Sequence, residues 1–363
     1  MSGLWIPTSQ RQLMQAQSNL LARFVKTPYQ SSIITVPFDG KGLLHKPQSV
    51  EINYVDNAPE RTDGHTLIIA HGWGSGLGFY FANLDLLAQQ FDRVIAFDWL
   101  GFGGSSRPSC RNAPKLRRSG LCLTDTAFSA PVEAIDFFIK PFEQFVDALA
   151  LDRPFTLLGH SLGGYLCARY GVKHPDKLKR LMLASPAGFP PRPPEQYVIP
   201  KDQLPFGLKL IDSMWHRNFT PGQIIRALGR LGPRLTHSIL NGRFGKRWGN
   251  AESKLIAEYL YHISAATGSG EYAMNSLLEP VMSQLGSTVY AREPFAPLLP
   301  KMGDVPVDIA YGDRDWLFSE IPVKLAAQSS QKQGVKLNLT MIPQAGHHLY
   351  LDNTPAFHRW IQA

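Results

Sequence analysis

The chain has 363 residues and a formal net charge of +8, with 44% hydrophobic and 18% charged residues, enough to bury a large globular core. Its three cysteines, Cys110, Cys122 and Cys167, have neither the even count of a disulfide framework nor the close spacing of a zinc site, which fits a reducing compartment. No apolar run reaches the roughly 18 residues that a membrane-crossing helix needs, so any membrane contact has to be peripheral.

In chain order, Met1 to Phe38 carries Arg11, Arg23 and Lys26 and no acidic residue, a composition similar to a mitochondrial transit peptide. Leu13, Leu20, Leu21 and Phe24 recur at helical spacing after Pro7-Thr8-Ser9, which reads equally as a helix docked on the fold. Residues 1–40 are therefore set apart as an N-terminal helical segment or targeting region. The import reading expects a mitochondrial protein peripheral to a membrane, against the alternatives of cytoplasm or lipid droplet.

From 41 to 187 and again from 301 to 363, short apolar runs alternate with longer helical patterns. Strands are predicted at 50–55, 66–70, 93–97, 155–158, 178–184, 307–311 and 337–342, and helices near 81–89, 131–150, 162–173, 323–329 and 355–361. This alternation predicts an α/β fold with a mainly parallel sheet flanked by helices. Between 188 and 300 it stops, replaced by Pro-rich turns such as Pro190-Pro191-Arg192-Pro193-Pro194 and amphipathic helical patterns, which reads as a helical cap inserted into the core.

The charge is clustered. Arg107, Arg111, Lys115, Arg117 and Arg118 lie between Asp98 and Asp125 with no acidic residue among them. Arg217, Arg226, Arg230, Arg234, Arg243, Lys246 and Arg247 lie likewise between Asp212 and Glu252, interleaved with Trp215, Phe219, Ile224, Ile225, Leu228, Phe244 and Trp248. Basic residues mixed with large apolar ones suit an anionic membrane surface; a plain solvated face is the competing reading. No nucleic-acid module is legible, so nucleic acid is not an expected partner.

The chemistry concentrates at Gly159-His160-Ser161-Leu162-Gly163, which lies between a predicted strand and a predicted helix. In that context the motif is a nucleophile elbow, an α/β hydrolase feature, with Ser161 as nucleophile and Gly159 and Gly163 leaving room for the turn. Oxyanion donors are expected from the amide of Leu162 and from that of Trp73, in the loop His71-Gly72-Trp73-Gly74-Ser75-Gly76. That loop matches neither the phosphate-cradling nor the dinucleotide fingerprint. A serine hydroxyl needs a base, and His347, after the last predicted strand, is in the required order; His348, His160 and His71 are expected to be structural. Asp315, in Tyr311-Gly312-Asp313-Arg314-Asp315, is the expected acid, with Asp313 as its competitor. Neither a metal nor a cofactor is called for.

These segments carry a resemblance. Gly159 to Gly164, His71 to Gly78, Asp98-Trp99-Leu100-Gly101-Phe102-Gly103, Ser105-Ser106-Arg107-Pro108, Tyr259-Leu260-Tyr261-His262 and Ser269-Gly270-Glu271 resemble the α/β hydrolase subfamily of lysophospholipases, the lipase coactivator of lipid droplets and mitochondrial cardiolipin deacylase. The resemblance implies an acyl chain on a phospholipid or lysophospholipid, cardiolipin included, as substrate. The chain departs from the subfamily in the basic insertion from Ser109 to Thr124 and in having Trp5 where the coactivator has several tryptophans. His347 and Asp352 are similar in spacing to the histidine and aspartate of glycerolipid acyltransferases, which implies acyl transfer to lysophosphatidic acid as a rival activity, although Asp352-Asn353-Thr354-Pro355 also reads as a helix start. The coactivator branch, with asparagine in place of the elbow serine, implies a third reading as a non-catalytic regulator.

Overall fold

Among the described residues, eight strands form one sheet: β1 (Gln30–Phe38), β2 (Gln48–Asp56), β3 (Thr66–Ala70), β4 (Arg93–Phe97), β5 (Phe155–His160), β6 (Leu178–Ala184), β7 (Val307–Gly312) and β8 (Leu337–Ile342). Their order across the sheet is β1-β2-β4-β3-β5-β6-β7-β8, with β2 antiparallel to both neighbours and the other pairs parallel. This computed structural model describes residues 8–38, 48–108, 116–117, 120–121, 128, 130–244 and 247–363. Arg111, Lys115, Arg118 and Lys246 of the basic stretches lie outside the described residues, as do the side chains of Arg117, Arg230, Arg243 and Phe244.

The expected α/β fold with a mainly parallel sheet is the one formed. β3, β4, β5 and β7 are buried at every position, the continuous apolar pattern of strands covered on both faces. Alternate residues feed two cores. Ile68, Ile95, Leu157 and Leu181 pack with α3 (Pro131–Ala148), α4 (Leu162–Lys173) and α9 (Glu320–Lys332). Leu67, Val94, Leu158 and Met182 face the other way, toward α1 (Gln10–Phe24), α2 (Leu84–Ala88), α8 (Asn250–Ala265) and α10 (Thr354–Gln362).

Of two N-terminal findings, one differs from the sequence reading and one agrees with it. Gln30–Phe38, included in a helical or targeting segment, is strand β1 at the sheet edge, where Pro37 is tolerated because its missing N–H interrupts no further ladder. Its exposed residues alternate with half-buried ones up to Val36 and Phe38, which explains why the apolar signal is faint. α1 forms where the helical spacing predicts it, capped by Ser9 Oγ, which accepts from the Gln12 amide. Its buried Leu13, Ala16 and Leu20 share a core with Ile256, Tyr259 and Ile263 of α8.

Between β6 and β7 the chain builds α5 (Phe206–His216), α6 (Pro221–Ala227), α7 (Gly232–Phe244), α8 and an antiparallel pair, Leu278–Val281 with Thr288–Ala291. The basic residues here are not uniformly solvated. Arg226 is ion-paired with Glu271 at 2.5 Å, and Arg247 donates to the Asp352 carbonyl at 2.7 Å. Arg107, from the first basic stretch, donates to the carbonyls of Thr267, Gly103 and Ile263. Burial pushes that guanidinium down to about 10, against attraction from Glu271 and Asp98. No helix among the described residues is long and apolar enough to cross a membrane.

Candidate active site

β5 runs through Gly159 and His160, the chain turns at Ser161, and α4 starts at Leu162. Ser161 has φ 55° and ψ −120°, outside the ordinary regions for a residue with a side chain. The strain is held by packing around the turn. The Ser161 amide donates to the Ala184 carbonyl at 3.0 Å, while its own carbonyl accepts from Tyr165 and Ala187 at 3.1 Å each. Gly163 has no room for a side chain, since a Cβ there would sit 2.3 Å from the His71 carbonyl oxygen.

His347 and Asp315 reach Ser161 from the loops after β8 and β7. His347 Nε2 is 2.9 Å from Ser161 Oγ, and His347 Nδ1 is 3.0 Å from Asp315 Oδ1. With Nδ1 donating to the carboxylate, Nε2 is the acceptor for the serine O–H. Asp315 Oδ1 also accepts from the Leu317 amide at 2.9 Å. Asp313 does not contact His347: its exposed carboxylate accepts from the amides of Gln344 and Ala345, and those bonds hold it below the usual carboxylate range. Asp352 is likewise turned away from the His347 ring, with Oδ2 accepting from the Gly346 amide at 2.9 Å.

The remaining histidines do separate work. His71 is fully buried, with Nδ1 donating to the Gly72 carbonyl at 2.7 Å and Nε2 accepting from the Trp99 amide at 3.1 Å. Burial holds its imidazole below the usual range, which suits this neutral tautomer. The loop it fixes lies against Ser161: a Cβ on Gly72 would be 2.9 Å from Ser161 Cβ. His160 Nε2 donates to the His347 carbonyl at 2.8 Å, and the His348 ring lies 5.0 Å from that of His160. Trp316, missed in the sequence reading, is 60% exposed and has its ring centroid 5.0 Å from that of His347. A tryptophan directly after Asp315 was the available signal.

Leu162 opens α4, where first-turn amides have no acceptor within the helix. The Trp73 side chain donates to the Glu271 carbonyl at 3.2 Å, tying this loop to the cap segment. Trp73 also lines two cavities. One, of about 220 Å³, is walled by Met214, Trp215, Phe219, Ile224 and Met274; the other, of about 360 Å³, by Phe102, Arg107, Leu260, Ile263 and His348. Both are large enough for part of a lipid chain, and the first is almost wholly apolar. Among the described residues no group of three or more His, Cys, Asp or Glu side chains is placed to hold a metal ion.

Comparison with known proteins bears on this arrangement. The family model for the alpha/beta hydrolase fold matches residues 65–354. A 1-acylglycerol-3-phosphate O-acyltransferase of Arabidopsis thaliana is 34% identical over 369 residues, covering 98% of this chain and 80% of that protein. A (lyso)-N-acylphosphatidylethanolamine lipase of Homo sapiens is 30% identical, covering 97% of this chain and 88% of that protein. Naproxen esterase from Bacillus subtilis, a solved structure, covers 98% of both chains with a TM-score of 0.58 at 14% identity, a likeness of fold.

Proposed function

We propose that this chain, which belongs to the α/β hydrolase family, is a serine hydrolase that cleaves the acyl ester of a phospholipid or lysophospholipid. The observation that carries the reading is the unbroken hydrogen-bond line from Ser161 through His347 to Asp315, ending on a serine held at positive φ.

In this mechanism Ser161 Oγ attacks the ester carbonyl as His347 Nε2 takes its proton. Asp315 holds the imidazole tautomer and stabilises the imidazolium. The amides of Trp73 and Leu162 donate to the oxyanion, and His347 then returns the proton to the leaving alcohol. Water, deprotonated by the same histidine, attacks the acyl-Ser161 ester and releases the fatty acid. Neither a metal nor a cofactor has a part in these steps. The apolar cavity beside Trp73 supports an acyl chain as the group bound, and the two relatives' names support a glycerophospholipid frame.

The finer reading takes cardiolipin as substrate, an anionic membrane as partner and the mitochondrion as location. Its supports are the basic stretches and the composition of the N-terminus. The test is fatty-acid release from a phospholipid panel that includes cardiolipin. Ser161→Ala is expected to lose activity by a factor of about ten thousand. Equal rates for mutant and wild type would overturn the assignment of Ser161.

Acyl transfer is the second reading, favoured by the Arabidopsis relative's name. The position of Asp352 speaks against a separate His347–Asp352 transferase pair, because its carboxylate holds the Gly346 amide. Transfer in this site would instead pass the acyl group from Ser161 to a lysolipid hydroxyl in place of water. Lysophosphatidic acid with acyl-CoA, run beside the hydrolysis panel, separates the two by product. A non-catalytic regulator has no use for the Ser161–His347 bond, and that reading requires wild type and Ser161→Ala to be equally inactive.

A further inference from the structure

Six of the thirteen large apolar side chains exposed among the described residues fall between Phe206 and Leu231. Phe206 is 82% exposed, and Leu210, one turn further along α5, is 51% exposed; Ile211 follows at 56%. Ile224, Leu228 and Leu231 belong to α6 and the turn after it. The two groups meet, since Ile211 and Ile224 both line the apolar cavity that reaches Trp73. An exposed apolar patch that continues inward as a cavity is what a binding surface for an apolar ligand requires.

The charge around this patch identifies the occupant. Lys209 and Arg217 are exposed on or beside α5, and Arg234 is exposed at the start of α7. Of the acidic residues nearby, Asp212 is paired with Lys201 and lies 3.4 Å from His216, and exposed Asp202 sits before α5, with its carbonyl accepting from Lys209 at 2.7 Å. From Ser213 to Ala251 the sequence has seven cations and no anion; Arg226 among them is paired with Glu271, while Arg217 and Arg234 are exposed beside the patch. A second copy of the chain would bring the same cations to the interface and be repelled. Anionic lipid headgroups complement them, while the acyl region accommodates the apolar side chains.

We propose that α5, α6 and the turn at Leu231 form the face that seats in an anionic bilayer, with the cavity rimmed by Ile211 and Ile224 as the route by which an acyl chain passes from the bilayer to Trp73. The route rests on the hydrolase reading; the seating does not. Phe206 and Leu210 enter the acyl layer, and Lys209, Arg217 and Arg234 meet the headgroups. The bilayer thereby presents its chains at the cavity mouth, so a lipid needs no full transfer through water.

The test is flotation of the Ser161→Ala protein with vesicles of phosphatidylcholine and with vesicles that also contain phosphatidylglycerol, so that no turnover alters the lipid. Binding is expected to the anionic vesicles, weakened by salt, and Phe206→Asp/Leu210→Asp is expected to reduce it about tenfold or more. In the Ser161 background the same double substitution is expected to leave hydrolysis of a short water-soluble ester unchanged, which also controls for folding. Lys209→Glu/Arg217→Glu, a second pair on the same face, is expected to reduce anionic binding without touching the apolar side chains. Unchanged flotation in both pairs, or equal binding to neutral vesicles, overturns the seating. A self-associated protein that becomes monomeric in the Phe206→Asp/Leu210→Asp variant while vesicle binding persists overturns it in favour of a second copy. Wild type that floats but hydrolyses neither ester nor lipid overturns the hydrolase reading and the acyl route, and supports the seating.

Discussion

Two aspartates two residues apart have opposite geometry, and that makes the proposed acid a position that mutation can decide. Asp315 Oδ1 receives both His347 Nδ1 and the Leu317 amide, whereas Asp313 braces Gln344 and Ala345 in the loop that carries His347. Asp315→Asn is expected to reduce kcat about ten-thousandfold by favouring the wrong imidazole tautomer. Asp313→Asn, which disturbs the loop and leaves the acid in place, is expected to cost about tenfold or less. Steady-state rates on one lipid substrate compare them, and a larger loss at Asp313 would reverse the assignment. Ser161, His347 and Asp315 could be picked out as candidates in the sequence because their order and their places after strands follow from the elbow, and the structure brings them into one hydrogen-bonded line. The support given by His160 to the His347 carbonyl, and the position of Trp316 against His347, were not legible there. Both depend on which loops meet across the sheet ends, and spacing along the chain carries no such information.

Elements were readable in proportion to how far their own pattern decided them. The buried strands and α4 lie where apolar runs and the elbow place them, while β1 escapes because an edge strand needs few apolar residues. α10 adds a titratable group that the pattern leaves unassigned. His358 Nε2 donates to Asn83 Oδ1 at 3.1 Å, and Nδ1 lies 3.3 Å from Gln90 Nε2, so the neutral ring links α10 to α2 and its flanks. Burial pushes His358 down to about 4 from its usual 6.5. The unfolded chain therefore takes up this proton first as pH falls, and the stability linked to the neutral ring is present above about 6.5 and lost toward about 4. Thermal midpoints recorded across that window are expected to decline with acid in the wild type and to decline less in His358→Gln. Parallel curves for the two proteins would remove His358 as the source.

At the scale of the whole molecule, the segments that carried the family resemblance fasten the cap segment to the loops around Ser161. Tyr259 Oη accepts from the Gly78 amide at 3.1 Å, Ser269 Oγ donates to the Pro108 carbonyl at 2.6 Å, and the Glu271 carbonyl receives Trp73 Nε1 at 3.2 Å. The end of strand and helix alternation marks where the segment between β6 and β7 begins, but these fastenings join positions more than a hundred residues apart and left no periodic trace. Glu271 is central because its carboxylate also accepts from Thr220 Oγ1 at 2.6 Å and pairs with Arg226, with side chains only 11% and 17% exposed. Taking away the charge of a pair so shielded leaves the Arg226 guanidinium poorly compensated, at a cost of about 3 kcal/mol. Glu271→Gln is therefore expected to lower the urea midpoint accordingly. Its backbone carbonyl remains for Trp73, so kcat on a short ester is expected to fall less than KM for a long-chain lipid rises. A mutant with the wild-type midpoint would mean that the pair contributes no more than an exposed one. A matched loss of kcat on both substrates would mean instead that the carboxylate orders the Trp73 loop itself, and the segment between β6 and β7 would then act on the proposed oxyanion donors as well as on the proposed lipid site.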